Sequence, residues 1–429
     1  METQESQPLD VAAIREDFPI LQRRVGTDVT PSTIGEDVEG GQRVVYLDNA
    51  ATTQKPQDVV DAISKYYLNY NANVHRGLHH FSQEASVAYE LAHDRVAEFV
   101  GASGEREEIV FTSNTTEAEN LVAYAWGLRE LGPEDEVVLS EMEHHSSLVT
   151  WQQIAERTGA TVRYIQVDET GRLDMDHARE LIGPDTAMVS VVHVSNTLGT
   201  VNPVSTLADM AHEQDAFIFV DGAQAVPTRP VDVEAIDADF YAFSGHKMLG
   251  PTGIGALYGK KHLLEEMEPF LYGGDMITKV TYEDATWNEL PWKFEAGTPR
   301  IAQGIGLDAA IEYLDDLGME NVREHEERIA EYAYERLSEF DDVEIFGPEP
   351  GADRAGLVAF ELDGVHAHDV ASIMNDHAVA IRAGHHCTQP LHQKMGITAS
   401  ARASFYVYNT REEVDALIDA IDDARQLFA

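Results

Sequence analysis

Residues 216–258 read AFIFVDGAQAVPTRPVDVEAIDADFYAFSGHKMLGPTGIGALY. Two short, fully apolar runs stand here, Ala216–Asp221 and Asp239–Ser244, and a third run, Gly253–Tyr258, follows. Continuous apolar runs of this length, bounded by Gly, Pro and Asp, predict strands buried on both faces, as in a largely parallel sheet. The first run ends on Asp221. The second is followed by Lys247, inside a Gly/Pro-rich loop. In open α/β sheets ligands gather at the carboxyl ends of strands. A strand-end acid can hold a protonated pyridine nitrogen, and a strand-end amine can form a Schiff base, the two needs of pyridoxal phosphate. Taken singly, Asp221 reads equally as a helix cap and Lys247 as a surface lysine at a turn; the pair points to chemistry.

Outward from this segment the same texture continues. Further strands are predicted at Ile109–Ser113, Glu136–Ser140, Thr161–Gln166 and Ala187–Val194. Helical patterns lie between them at Thr116–Leu131, Leu148–Thr158, Asp176–Leu181 and Val204–Gln214. Alternating strands and helices predict an α/β fold with helices on both sheet faces. After Ala302 come helices at Gly304–Leu317 and Val322–Phe340, short strands at Val343–Phe346 and Gly356–Leu362, and helices at Ala367–Asp376 and Arg411–Phe428. That predicts a large domain over 45–302 and a smaller α+β domain over 303–429. Residues 1–44 open with a helix at Val11–Glu16, then run through a polar stretch, RRVGTDVTPSTIGEDVEGGQR, with no periodicity. This predicts an exposed loop in a segment packed with the small domain.

The 429 residues carry 30 Lys+Arg against 76 Asp+Glu, a net charge of −46. The excess of acid excludes a generic nucleic-acid binder. With 43% hydrophobic residues the chain has enough apolar material for a core, so the charge does not signal disorder. No run approaches 18 apolar residues and the start METQESQPLD is polar, which predicts a cytoplasmic protein without a membrane span. Only 8 residues are lysine against 22 arginines, and the acid is dispersed along the chain. A dispersed acidic surface with few lysines fits a salty cytoplasm better than an acidic docking face, which would cluster its charge.

The strand EIVFT opens into SNTTEAENLVAYAW, where Ser113 to Thr116 start a helical pattern. A hydroxyl-rich turn at a helix N-terminus suits a phosphate, although ordinary capping would use the same residues. The single cysteine, Cys387, excludes an intrachain disulfide and any multi-cysteine metal site. It sits in IRAGHHCTQPL beside Arg382, His385 and His386, a cationic and hydrogen-bonding neighbourhood that favours a thiolate nucleophile. A metal site from His385, His386, Cys387 and His392 is the weaker alternative, because adjacent residues rarely converge on one ion.

The chain resembles the SUF-type (SufS/CsdA group) cysteine desulfurases of the class V aminotransferase family. The resemblance runs from about Asp17 to Ala429. It rests on DFPIL, YLDNAATTQKP, NVHRGLHHFS, EMEHHSSLVTWQ, SNTLGT, VDGAQAV, FSGHKMLGPTGIG, FEAGTP, RAGHHCTQPL and ARASFYVYNT, in that order. The stretch VGTDVTPSTIGEDVEGGQ is longer than the family usually carries there and touches no motif. The resemblance implies the pyridoxal-phosphate transferase fold of type I. It implies Lys247 as the Schiff-base lysine, Asp221 opposite the pyridine nitrogen and His144 stacked on the ring. Gln224 and Asn196 would approach the ring oxygen and the substrate, and Thr115, Thr116, Ser244 and His246 the phosphate, with Thr298 supplied across a homodimer interface. Arg402, with Arg382, would bind the substrate carboxylate, and Cys387 would accept the sulfur.

The implied activity converts L-cysteine to L-alanine, leaves a persulfide on Cys387 and passes sulfur to an acceptor protein or scaffold for iron–sulfur cluster assembly. His368, in GVHAHDV, matches a histidine with which some members engage a zinc-bearing partner; a histidine opening a helix also has an ordinary capping role. Three other functions remain open on sequence alone: a selenocysteine lyase on the same scaffold, a kynureninase-like hydrolase that would not need Cys387, and a catalytically silent assembly scaffold.

Overall fold

The computed structural model describes residues 8–26, 29, 33–103, 106–351 and 354–428. Seven strands form the central sheet: β1 (Ile109–Thr112), β2 (Glu136–Ser140), β3 (Thr161–Ile165), β4 (Thr186–Val192), β5 (Phe217–Asp221), β6 (Phe240–Ser244) and β7 (Gly255–Gly259), in the spatial order β1-β7-β6-β5-β4-β2-β3. All neighbours pair in parallel except at β7, which is antiparallel to both β1 and β6. The chain is thus an α/β protein with a mainly parallel sheet, as its apolar runs predict.

Side chains alternate across that sheet with the period of two that a pleated strand imposes. Ile218, Val220, Tyr241 and Phe243 enter one core, with the helices His80–Phe99, Val204–His212 and Ile301–Leu317. Phe219, Phe240 and Ala242 enter the opposite core, with Thr115–Val122 and His145–Thr158. Burial on both faces leaves the strand ends as the place for polar chemistry. Asp221, Ser244 and the turns after Thr112, Ser140 and Val192 all lie at the carboxyl ends of parallel strands, so one sheet edge collects the residues singled out above.

A second sheet joins Val343–Phe346, Leu357–Leu362, Ser400–Ser404 and Arg382–Gly384 in that spatial order, all antiparallel. The helices Met319–Leu337, Ala367–Asp376 and Arg411–Phe428 contribute to its core. The expected boundary at residue 302 falls inside the first turn of Ile301–Leu317, a helix whose Leu307, Ile311 and Leu314 enter the core of the large sheet. The N-terminal helix Val11–Glu16 is tied to the C-terminal region through Arg15, whose guanidinium donates to Glu413 at 2.8 Å and to the Tyr408 carbonyl at 2.6 Å.

Several elements differ from expectation, among them the helices Gln57–Lys65 and His80–Phe99 and the strand Ser400–Ser404, none of which was predicted. The polar stretch read as a loop contains a short paired ribbon, Arg24–Val25 against Gln42–Arg43. The helix expected over Thr116–Leu131 is α-helical at Thr115–Val122, widens to a π-helical turn at Ala123–Gly127, and resumes for Leu128–Glu130. An unpredicted hairpin pairs Ile277–Val280 with Ala285–Trp287. Among the described residues no helix is long and apolar enough to cross a membrane.

Candidate functional site

A cavity of about 300 Å³ opens at the carboxyl edge of the large sheet, where Arg382, His386, Cys387 and Arg402 from the second sheet and its loops cover it. Twelve of the fourteen site residues that the resemblance implies line it: Thr115, Thr116, His144, Asn196, Asp221, Gln224, Ser244, His246, Lys247, Arg382, Cys387 and Arg402. They come from five strand ends of the seven-stranded sheet and from two strands of the four-stranded sheet with the loop between them, which explains why their sequence separations are so wide.

One part of the lining is built for an anion. Asn114 caps the helix Thr115–Val122, its side-chain oxygen accepting from Glu117 N at 3.0 Å. The Ser244 hydroxyl accepts from Thr115 N at 2.9 Å and lies 2.7 Å from Thr115 Oγ1. Hydroxyls at the positive end of a helix dipole are a phosphate seat. His246 stands beside them, held neutral because burial, then Lys247 and Lys55, push its pKa down to about 4.

The middle of the lining holds the amine and the acid. Lys247 follows β6 in a single helical turn, and burial pulls its pKa from 10.5 to about 8 against the attraction of Asp221. Asp221 is 3% exposed and accepts from Ala223 N at 2.9 Å; burial raises its pKa, with that bond and Lys247 opposing. Gln224 is oriented by donating to the Ala50 carbonyl at 2.7 Å. His144 caps the helix His145–Thr158: its Nδ1 accepts from Ser146 N at 3.1 Å. Burial, then Lys247, push His144 to about 3, so it is a neutral imidazole with its proton on Nε2.

The four-stranded sheet and its loops supply the rest. Arg402 is 2% exposed and donates to the Asn196 carbonyl at 2.8 Å, with Asp48 at 3.5 Å. Asp48 also takes the Arg382 guanidinium, at 2.7 Å to Nη2 and 3.0 Å to Nε. The Cys387 loop is strapped to the loops at the carboxyl edge of the large sheet: the His386 carbonyl accepts from Asn196 Nδ2 at 2.6 Å and the Cys387 carbonyl from His145 N at 2.8 Å. His386 and Cys387 both adopt left-handed backbone, φ 48° and 60°, which turns the exposed cysteine toward the cavity mouth.

Two expected residues lie elsewhere. Thr298 is exposed and does not line this chain's cavity. His368 is exposed too, and its suggested capping role is corrected: His366 is the N-cap of Ala367–Asp376, its Nδ1 accepting from His368 N at 3.2 Å. The metal alternative has no support in the geometry, since His386 and His392 both turn to the Ser400 hydroxyl; among the described residues no group of three or more His, Cys, Asp or Glu is placed to hold a metal. Sequence reading missed Asp48, which ties both arginines. Its signal was present: an acid directly after the strand VVYL, inside YLDNAATTQKP.

Comparison with known proteins agrees with this geometry. The aminotransferase class-V family model matches residues 45–417. A cysteine desulfurase of Haloferax volcanii is 72% identical over the full length of both chains, and a probable cysteine desulfurase of Halobacterium salinarum is 66% identical, also over both full lengths. The crystal structure of the cysteine desulfurase CsdA from Escherichia coli is 37% identical, with a TM-score of 0.88 over 99% of this chain and 100% of that one. The chain belongs to the class-V aminotransferase family, among its cysteine desulfurases.

Proposed function

We propose that the chain is a pyridoxal-phosphate-dependent cysteine desulfurase that converts L-cysteine to L-alanine and retains the sulfur as a persulfide on Cys387. The observation that carries this is the convergence on one cavity of a half-buried amine, a buried carboxylate, a helix-end hydroxyl cluster and the chain's single, exposed thiol.

The residues fit the cofactor. Asp221 is a buried acid whose pKa burial raises, and a protonated ring nitrogen beside it would stabilise its charged form. Thr115, Thr116, Ser244 and His246 would hold its phosphate, His144 its ring face and Gln224 its ring oxygen. The Asn196 side-chain oxygen and Arg402 Nε are buried without partners at the same cavity. Its volume is at the lower end for small-molecule sites, which suits an enclosed cofactor with a small amino acid. When bound, pyridoxal phosphate supplies an aldehyde for amines and an electron sink for the substrate carbon.

The chain's own groups then divide the work. Arg402, buried and already aligned by Asn196 and Asp48, binds the substrate carboxylate as a planar fork, with Arg382 beside it. Lys247 Nζ has a pKa near neutrality, so it can both release and take a proton; it removes the proton from the substrate α-carbon. The Cys387 thiolate attacks the substrate sulfur: an S–S bond forms, the C–S bond breaks, and the electron pair returns to carbon, which is protonated to alanine. With no second cysteine in the chain, the persulfide cannot collapse into an internal disulfide and is free for transfer.

The receiver is a sulfur-accepting protein or scaffold for iron–sulfur assembly, engaged in part through the exposed His368. The working form is a homodimer in which Thr298 completes the partner's phosphate seat, with the smaller domain beginning after the helix Ile301–Leu317, in a high-salt cytoplasm. The test is alanine release from L-cysteine and from L-selenocysteine in parallel. Turnover of L-cysteine with one persulfide per chain is expected; activity confined to selenocysteine would overturn the reading.

A further inference from the structure

The loop carrying Cys387 ends in a hydrogen-bonded chain that the reaction above does not use. His392 Nδ1 lies 3.1 Å from the Thr388 carbonyl oxygen. A carbonyl only accepts, so a neutral His392 carries its proton on Nδ1 and its Nε2 is an acceptor. The Thr388 hydroxyl agrees: it donates to the His385 carbonyl at 2.9 Å and offers Nδ1 only lone pairs. His392 Nε2 lies 3.0 Å from Ser400 Oγ, so Ser400 donates its one proton there. The same Oγ lies 3.0 Å from His386 Nε2 and, its proton spent, can only accept; His386 therefore carries its proton on Nε2. Burial keeps His386 neutral, with its pKa pushed down to about 2. That leaves His386 Nδ1 as a bare lone pair, buried and without a hydrogen-bond partner.

A buried acceptor with no donor calls for an explanation. His386 is followed directly by Cys387, both line the cavity, and rotation of the exposed cysteine side chain would bring its S–H toward its neighbour. We propose that His386, Ser400 and His392 form a proton relay that takes the proton from the Cys387 thiol. The Sγ–H bond breaks, its electron pair stays on sulfur, and an N–H bond forms at His386 Nδ1. The proton on His386 Nε2 passes to Ser400 Oγ, and the Ser400 proton passes to His392 Nε2. The products are a thiolate and a His392 imidazolium, and no further reactant is needed. Burial, then Arg402 and Arg382, disfavour a charge resting on His386. The charge comes to rest on His392, where burial opposes it most, the Thr388 carbonyl supports it and His385 is the titratable neighbour that also opposes it.

The inference rests on the proposed role of Cys387, but its test does not. Cys387 is the chain's single thiol, so alkylation of substrate-free holoenzyme by iodoacetamide reports its thiolate directly. Alkylation rates from pH 5 to 9.5 are compared for wild type, Ser400→Ala, Ser400→Thr and His392→Asn. Breaking the relay should move the midpoint up by about one pH unit, roughly a tenfold slower reaction at pH 7, in Ser400→Ala and His392→Asn. Ser400→Thr, which keeps the hydroxyl, should return toward wild type. Superimposable profiles for wild type and both relay-breaking variants would overturn the proposal. Nitrogen-15 NMR of the wild-type histidines is independent of any variant's folding: protons on His392 Nδ1 and His386 Nε2 are expected, and the reverse pattern overturns it. A chain that alkylates as expected but forms no persulfide would refute the desulfurase reading and leave the relay standing.

Discussion

Lys247 makes a stability prediction whose size follows from its burial. In the apoenzyme its ammonium sits where burial lowers the pKa from 10.5 to about 8. The folded state therefore binds fewer protons at this site than the unfolded state between about pH 8 and 10.5. Stability from this group rises with pH across that window and is at its lowest below pH 8. The drop corresponds to a penalty of about 3 kcal/mol at pH 7, a large share of a typical 5–15 kcal/mol. Lys247→Met removes the ammonium at similar volume. The apoenzyme variant should be about 3 kcal/mol more stable than wild type at pH 7, and the advantage should vanish by about pH 10.5. Paired urea titrations at several pH values measure it, since the difference between two chains cancels the −46 background. Running the same pair in an Asp221→Asn background removes any change in Asp221's own titration. A variant equally or less stable at pH 7, or an advantage that does not shrink with rising pH, would refute the claim that this amine is held at a cost.

Other outcomes follow from the same contacts. Gly222→Ala places a Cβ 2.0 Å from Tyr241 Cε1, and Tyr241 is fully buried; the variant should lose several kcal/mol, about 3 or more, with weakened cofactor retention, read by thermal melting and cofactor absorbance. Arg402→Lys keeps the charge but loses the fork held by Asn196 and Asp48, so KM for L-cysteine should rise at least about tenfold with kcat changed less, in steady-state assays. The thermal midpoint should climb as KCl is raised from about 0.2 to 2 M, because screening relieves the repulsion of a −46 chain; a midpoint that falls would remove the salt-adaptation argument.

Legibility from sequence followed burial. Strands β5 and β6 are buried on both faces, so their apolar runs and terminal Asp221 and Ser244 stood out. The hairpin Ile277–Val280 with Ala285–Trp287 is largely exposed and lacks an apolar face, leaving no periodic signal. The π-helical turn at Ala123–Gly127 hides inside a continuous apolar pattern, because widening the ladder by one residue keeps the same side chains inside. At the site, residue types announced the chemistry, but partnerships did not. Asp48 lies more than 330 residues from Arg382 and Arg402, and only pairing across the domains reveals that it holds both. Likewise His366, not His368, caps its helix, a choice between neighbours that depends on which imidazole turns inward. Ser400 carried no signal at all until two histidines were seen to share it.

The central claim is that Cys387 Sγ receives the substrate sulfur. Mass spectrometry of intact protein after one turnover with L-cysteine tests it most directly. The account predicts a single added sulfur, located at Cys387 by peptide mapping, and neither persulfide nor sulfide from Cys387→Ala despite normal cofactor absorbance. Undiminished sulfide release from Cys387→Ala would contradict it.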